Sequence, residues 1–307
     1  MSSYNGCRYI KQQIDSILAQ EGVMVELYIR DDGSSDNTIS IIQEYCTNDL
    51  RVQFVEGEPL GVGRSFMTLL SLPIKADYYS FSDQDDYWYP NKLISAVNKL
   101  DAMEGNNNLY CCNQNCVNEN GEYIYRRFPK EYSVPTLLDT VIKNDIAGCT
   151  MVLSSDLREL IIKNLPPFDF FVYCIHDIWI ACVSLAVGRI IFDDEPYMDF
   201  RRHGGNVTDE TVSINRQKSQ GTVLLGKYRR YKKRGFYCCH SKMKLAEQIV
   251  AFFDKYLDEN QKYDLICIYS YYDSFGYKLR LLFNSNIRKS IKDFKILFYL
   301  RVIFNKL

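Results

Sequence analysis

The chain has 307 residues, 47% of them hydrophobic and 24% charged, with a formal net charge of −1. That suits one large domain, or one domain with a helical appendage, and it excludes a disordered chain. The near-zero balance hides an asymmetry: residues 226–307 hold 18 Lys and Arg against 7 Asp and Glu, and the preceding 225 hold 19 against 31. The split argues for two functional parts, 1–225 and 226–307, and the acidic larger part argues against nucleic acid as a partner.

In chain order, Cys7–Gln20 carries Ile10, Ile14, Ile17 and Leu18 at helical spacing, and Val23–Arg30 alternates as a strand does. A helix is expected over Asp36–Tyr45, capped by Ser35 or Asp36, then a strand over Val52–Val55 and a helix over Gly63–Leu72. Asp77–Ser82 reads as a strand and Pro90–Met103 as a helix with proline in its first turn. Such βα repetition implies an α/β fold, a mostly parallel sheet flanked by helices, with ligands collected at the carboxyl ends of the strands. Beyond residue 105 short strands are expected at Leu109–Cys112, Tyr123–Arg127 and Gly148–Leu153, and a helix at Ile175–Val187. Arg201–Gln220 is polar and reads as a loop, after which only helices are expected: Ser241–Tyr256, Lys262–Phe275 and Asn286–Phe304.

Two acidic motifs fall at predicted strand ends, Asp31-Asp32 and Asp83-Gln84-Asp85-Asp86. Three carboxylates in four residues repel one another unless a cation sits among them, and an all-oxygen set suits Mg²⁺ or Mn²⁺ shared with substrate phosphates. A solvated acidic turn is the plainer alternative. Eleven cysteines, without paired CxxC motifs, read as reduced thiols of a cytoplasmic protein. The polar start at Met1–Gly6 is unlike a secretory signal, and the uncharged run 178–188 is too short to span a bilayer.

Four more stretches accompany the acidic cluster: Ser2-Ser3-Tyr4-Asn5-Gly6, Asp31-Asp32-Gly33-Ser34, Gly61-Val62-Gly63-Arg64, and His176-Asp177-Ile178-Trp179 followed by Arg201-Arg202-His203-Gly204. As an ordered set over about residues 1–210, they closely resemble family 2 glycosyltransferases of the GT-A fold. The spellings around Asp83 and His176 look most like the bacterial rhamnosyltransferase-like branch. The resemblance implies an inverting, metal-dependent transfer of a sugar from a nucleoside diphosphate donor (dTDP or UDP) to a glycan or polyprenyl-linked acceptor in surface polysaccharide synthesis.

Residue by residue, it places Ser2, Tyr4, Asp31 and Asp32 at the nucleotide and Arg64 near a phosphate. Asp85 would ligate the metal, with Asp83 on the ribose or a metal-bound water. Asp86 falls on the acceptor side, Trp88 is a sugar platform, and Gly148 and Cys149 lie at the donor sugar. Asp177 would be the catalytic base, oriented by His176, while Arg202 and His203 close over the diphosphate. For several of these a plain structural role stands beside the functional one: an Asx turn for Asp31, a core ring for Trp88, a helix-start acid for Asp177. The family begins with an apolar strand, and Met1 stands where that strand should end, so the first core strand is expected to be missing and a sheet edge exposed.

The basic C-terminal part offers Ile287, Ile291, Phe294 and Phe298 on one helical face and Arg288, Lys292 and Lys295 on the other. That pattern fits peripheral attachment to an anionic membrane surface, or a helix packed on the catalytic domain. An inactive nucleotide-sugar-binding scaffold is the alternative to an enzyme.

Overall fold

The computed structural model describes residues 1–172, 174–204, 206, 241–290 and 295–304. Most of the polar segment 201–220, the basic residues 227–234 and the expected boundary at 225 lie outside them.

Ile10, Ile14 and Ile17 face inward from α1 (Ile10–Leu18) onto a parallel sheet of β1 (Ser2–Ser3), β2 (Leu27–Asp31) and β3 (Val52–Val55), with α2 (Thr38–Asn48) connecting β2 to β3. Residues 1–3 thus take the place of the expected absent strand. Ser2 pairs with Arg30 and Ser3 with Asp31, and the Met1 amino group donates to the Tyr28 carbonyl at 2.7 Å. On its other side β1 meets the acid loop, where the Ser2 amide donates to the Ser82 carbonyl at 3.4 Å.

After α3 (Val62–Leu70) comes a second sheet. Its strands are β4 (Tyr78–Ser80), β5 (Tyr87–Trp88), β6 (Asn108–Val117), β7 (Tyr123–Arg126), β8 (Met151–Ser154) and β9 (Arg189–Arg201), in the order β4-β8-β6-β9-β5 with β7 on β6. Here the expected parallel pairing gives way: only β6–β9 is parallel, and β4–β8, β6–β8, β6–β7 and β5–β9 are antiparallel. The sheet is flanked by α4 (Lys92–Asp101), α5 (Leu137–Ile142), α6 (Ser155–Lys163) and α7 (His176–Val187). Residues 179–183 of α7 are fully buried, which explains its almost continuous apolar sequence.

The C-terminal part is helical as expected, with α8 (Ser241–Phe253), α9 (Glu259–Ser270), α10 (Phe275–Phe283), α11 (Ser285–Ser290) and α12 (Lys295–Ile303). Leu245, Ile249, Phe253, Ile268, Leu281, Ile287, Phe298 and Val302 belong to the same buried cluster as Trp179 and Ile180 of α7. This is an α/β fold whose C-terminal helices share its core.

Candidate active site

The acid loop leaves β4 and is pinned from β9. Arg201, 5% exposed, donates its Nε to the Asp85 carbonyl at 3.1 Å and its backbone amide to Asp86 Oδ1 at 3.3 Å. Its Nη2 reaches Gln12 Oε1 at 2.8 Å and its guanidinium lies 4.8 Å from the Tyr9 ring centroid. One arginine therefore fixes the loop to both β9 and α1.

The three carboxylates of this loop crowd one another. Burial, then Asp85 and Asp177, push the Asp83 carboxyl up to about 7. Asp86 is driven well above the usual carboxylate range by burial, Asp85 and Asp83. Asp86 is fully buried, and its Oδ2 has no nitrogen or oxygen partner among the described residues, only the Cys149 thiol beside it.

Ligand atoms of Asp83, Asp86 and Cys149 lie within 4.8 Å of one another, and Asp85 Oδ2 lies 2.7 Å from His203 Nε2. The orphaned oxygen and the mutual repulsion fit a divalent cation. A thiol whose pKa burial raises well above its usual value is a poor partner for a hard ion, and Asp86 is closed to solvent. Asp85 and His203 form a more open carboxylate–imidazole pair beside that group, with 13% and 17% of their side chains exposed.

Beside the acid loop, where the sequence places the nucleotide, Gln84 grips the backbone of Tyr4 twice. Its Oε1 accepts the Tyr4 amide and its Nε2 donates to the Tyr4 carbonyl, both at 2.9 Å, leaving the Tyr4 ring 58% exposed. Asn5 next to it sits in the left-handed region, at φ 48°, and its Oδ1 accepts the Ser35 amide at 2.8 Å. Asp31 accepts from Ser3 Oγ, Ser34 Oγ and the amides of Gly33 and Ser34, an Asx turn that Gly33 permits at φ 90°. Asp32 is paired with Arg30 at 2.9 Å and takes the amides of Leu60 and Gly61 at 2.6 and 2.7 Å. Both acids shape the loop. Ser2 Oγ lies 2.8 Å from Ser65 Oγ, and Arg64 donates Nε to its own helix start at the Leu60 carbonyl.

Asp177 opens α7, where the helix dipole and the Ile178 amide, 2.6 Å from Oδ1, favour its charge. Burial outweighs them and pushes the carboxyl up to about 7, with the Ile178 and Gly148 amides and the Arg127 charge pulling against it. Gly148 is small for a reason: a Cβ there would stand 2.4 Å from His176 Nε2. His176 is buried between Phe66 and Phe81, at 4.1 and 4.9 Å between ring centroids, with neither nitrogen partnered among the described residues. Burial drives it to about 3, so it is neutral.

Trp88, expected as a sugar platform, is instead a core ring, 3% exposed, with Lys92 Nζ 3.3 Å from its centroid. Arg202 bonds Tyr125 OH and the Val117 carbonyl, beside His203. Gln84, Arg127 and Arg201 are functional neighbours that the sequence reading left without roles. The signal for Gln84 was its place inside the acid motif and for Arg201 its place before Arg202 and His203, while Arg127 becomes visible only through tertiary contacts.

A model of glycosyl transferase family 2 matches residues 1–161, just over half of the chain. The chain belongs to glycosyl transferase family 2. The family match takes in the nucleotide-side residues, the acid loop and Cys149, while His176, Asp177, Arg202 and His203 of this family 2 chain lie beyond it.

Curated relatives agree with the assignment. An uncharacterised glycosyltransferase of Rickettsia typhi is 26% identical over 215 residues, covering 68% of this chain and 65% of the relative. The dTDP-rhamnosyl transferase RfbG of Shigella flexneri is 27% identical over 241 residues, 75% of this chain and 81% of RfbG. Among solved structures, S. aureus TarS in complex with UDP-GlcNAc has the same fold, with a TM-score of 0.58 at 16% identity over 98% of this chain and 80% of the TarS chain.

Proposed function

We propose that this family 2 chain is an inverting, metal-dependent glycosyltransferase that moves a sugar from a nucleoside diphosphate donor to an acceptor hydroxyl. The observation that carries this reading is the meeting of two distant segments. The Asp177 charge acts on Asp83, and the Gly148-Cys149 pair touches both carboxylates. That proximity supports reading the acid loop as the diphosphate side of the site and Asp177 as its base.

In the proposed reaction Asp177 accepts the proton of the acceptor hydroxyl. The oxygen forms its bond to the anomeric carbon from the face opposite the nucleotide, and the bonding pair of the breaking C–O bond leaves with the diphosphate. A pKa of about 7 suits a group that must be ionised yet still take a proton near neutral pH. Asp83 and Asp85, with His203, would hold Mg²⁺ or Mn²⁺, which when bound neutralises charge on the diphosphate. Arg202 stands next in the chain to His203, suited to a phosphate oxygen, and the exposed Tyr4 ring is available to the base.

The likeness to a dTDP-rhamnosyl transferase supports dTDP-rhamnose as donor, and the fold shared with a UDP-GlcNAc-bound enzyme keeps UDP-sugars in the test. A glycan on a polyprenyl carrier in bacterial surface polysaccharide synthesis is the acceptor class we assign, which places the work at the cytoplasmic face of the membrane. The described cysteines are free, as a reducing compartment requires.

Calorimetric titration of UDP and dTDP, each with Mn²⁺ and with EDTA, tests the donor site. Asp177→Asn tests the chemistry. It should bind the nucleotide as the parent does and lose transfer by about 10²–10⁴-fold, the usual worth of a general base. Full activity in that variant would remove Asp177 from its role. Binding without transfer by the parent chain, over a panel of nucleotide sugars, would point to a scaffold.

A further inference from the structure

The apolar face expected to meet a membrane is spent inside the protein. Ile287 and Phe298 are 0% and 1% exposed and lie in the main core cluster; Ile291 and Phe294 fall outside the described residues. A different face is left bare. On α10, Phe275, Leu279 and Phe283 recur every four residues and are 74%, 40% and 67% exposed. On α12 and just past it, Leu300, Ile303 and Phe304 are 44%, 51% and 65% exposed. Lys278 Nζ donates to the Ile303 carbonyl at 2.9 Å, so the two helices lie side by side and their bare faces adjoin.

Each helix is apolar inside as well, through Leu281 on α10 and Phe298 and Val302 on α12. Helices apolar on both sides need a cover on both sides. The charge around the bare face says which cover. Among the described side chains of residues 275–304, Lys278, Arg280, Arg288 and Arg301 are basic and none is acidic. The Arg288 guanidinium lies over the Phe283 ring itself, 5.4 Å from its centroid, and Arg280 over Tyr277 at 5.2 Å. A second copy docking on the same patch would bring like charge against like. An anionic bilayer supplies both the apolar depth for the aromatic side chains and the negative surface that attracts nearby Lys and Arg.

We propose that the α10–α12 face is a membrane-docking surface that seats on anionic lipid. The inference stands apart from the transfer chemistry, because binding to vesicles is read without any sugar donor. Full-length protein should co-sediment with vesicles of phosphatidylcholine plus phosphatidylglycerol about tenfold more strongly than with phosphatidylcholine alone, and less as salt rises.

Phe275→Ser with Phe283→Ser should weaken that binding by about tenfold or more, the cost of two lost phenyl insertions. Because both side chains face solvent, the double variant should melt as the parent does. Leu50→Ser, at a residue 90% exposed on the other part of the fold, should leave binding unchanged. Equal sedimentation with both vesicle types, or a double variant that binds like the parent, overturns the proposal. A dimer in sedimentation velocity that the same two substitutions dissolve would also overturn it, in favour of a second copy as the cover.

Discussion

Asp177 and Asp83 sit in one electrostatic neighbourhood, and their shared elevation to about 7 has two consequences of opposite kind. For catalysis, Asp177 must be ionised, so kcat/KM should rise with pH through a limb near 7 and flatten above it, as a profile in saturating Mn²⁺ would show. A limb near 4 would mean that Asp177 is not the titrating group. For stability, the sign follows from proton counting. A carboxyl whose folded pKa lies above its unfolded value of 3.8 holds its proton longer in the folded state, so burial costs nothing below about 4 and progressively destabilises up to about 7. Asp83, Asp86 and Asp177 all act in this sense. The buried Met1 amino group, pushed down to about 5 from 8.0, acts in the other sense above 5, joined by His176 only up to about 6.5 and by Lys242, pushed down to about 7, only above 7. Metal-free protein should therefore melt lower at pH 7.5 than at pH 5. Added Mn²⁺ should raise the melting temperature more at the higher pH, and EDTA should reverse it. A Mn²⁺ effect that is equal at both pH values would detach the acid cluster from cation binding.

Single elements carry the site through close approach as much as through chemistry. Gly63 on α3 lies against the turn at 168–172, and a Cβ there would stand 2.5 Å from the Phe171 carbonyl oxygen, a backbone atom that cannot swing aside. Gly63→Ala should cost roughly 1–3 kcal/mol of stability through overpacking, read as a lower melting temperature, whereas unchanged melting would show that α3 is free to shift. Elements with a clean period were legible from the chain: the Ile10, Ile14 and Ile17 stripe of α1 and the runs of β2, β3 and β4 were found within a few residues. Of the long strands at the centre of the second sheet, only the Leu109–Cys112 part of β6 was, and β9 was not. β9 carries Asp193, Asp194, Glu195 and Pro196 in mid-strand, and β6 carries Asn113, Gln114 and Asn115, residues that by themselves signal a loop. Distant partners satisfy two of these residues inside the sheet: Asn113 Oδ1 takes the Phe128 amide at 3.1 Å, and Asp193 takes Tyr110 OH at 3.2 Å and Lys99 at 3.3 Å. The acid motif was legible for the same reason in reverse, since its crowding makes no local sense and asks for something from outside the chain.

At the scale of the molecule, charge and packing divide the chain differently. The basic excess beyond residue 226 suggested a separable appendage, but hydrophobic partners are not visible in a charge count, and the described C-terminal helices close the core begun by α7. Phe253 lies 6.0 Å from Trp179 between ring centroids, and Leu245, Ile249, Ile268, Tyr271 and Leu281 are all 0–3% exposed. Fully buried side chains of this size contribute roughly 1.5–3 kcal/mol each, so six of them together match or exceed the 5–15 kcal/mol that is the whole net stability of a typical domain. A chain ending at residue 225 would bare the outer side of α7, where Trp179, Cys182 and Val183 are 0% exposed in the full chain. It should express as an aggregating species without a cooperative melt or metal-dependent nucleotide binding. If instead it melts sharply near the parent temperature and still binds nucleotide, the catalytic part is complete without the helices, and what holds them against α7 is weaker than their burial indicates. The same reasoning is why vesicle binding is best probed by solvent-facing substitutions on α10: removing the helices would confound loss of a docking face with loss of the fold.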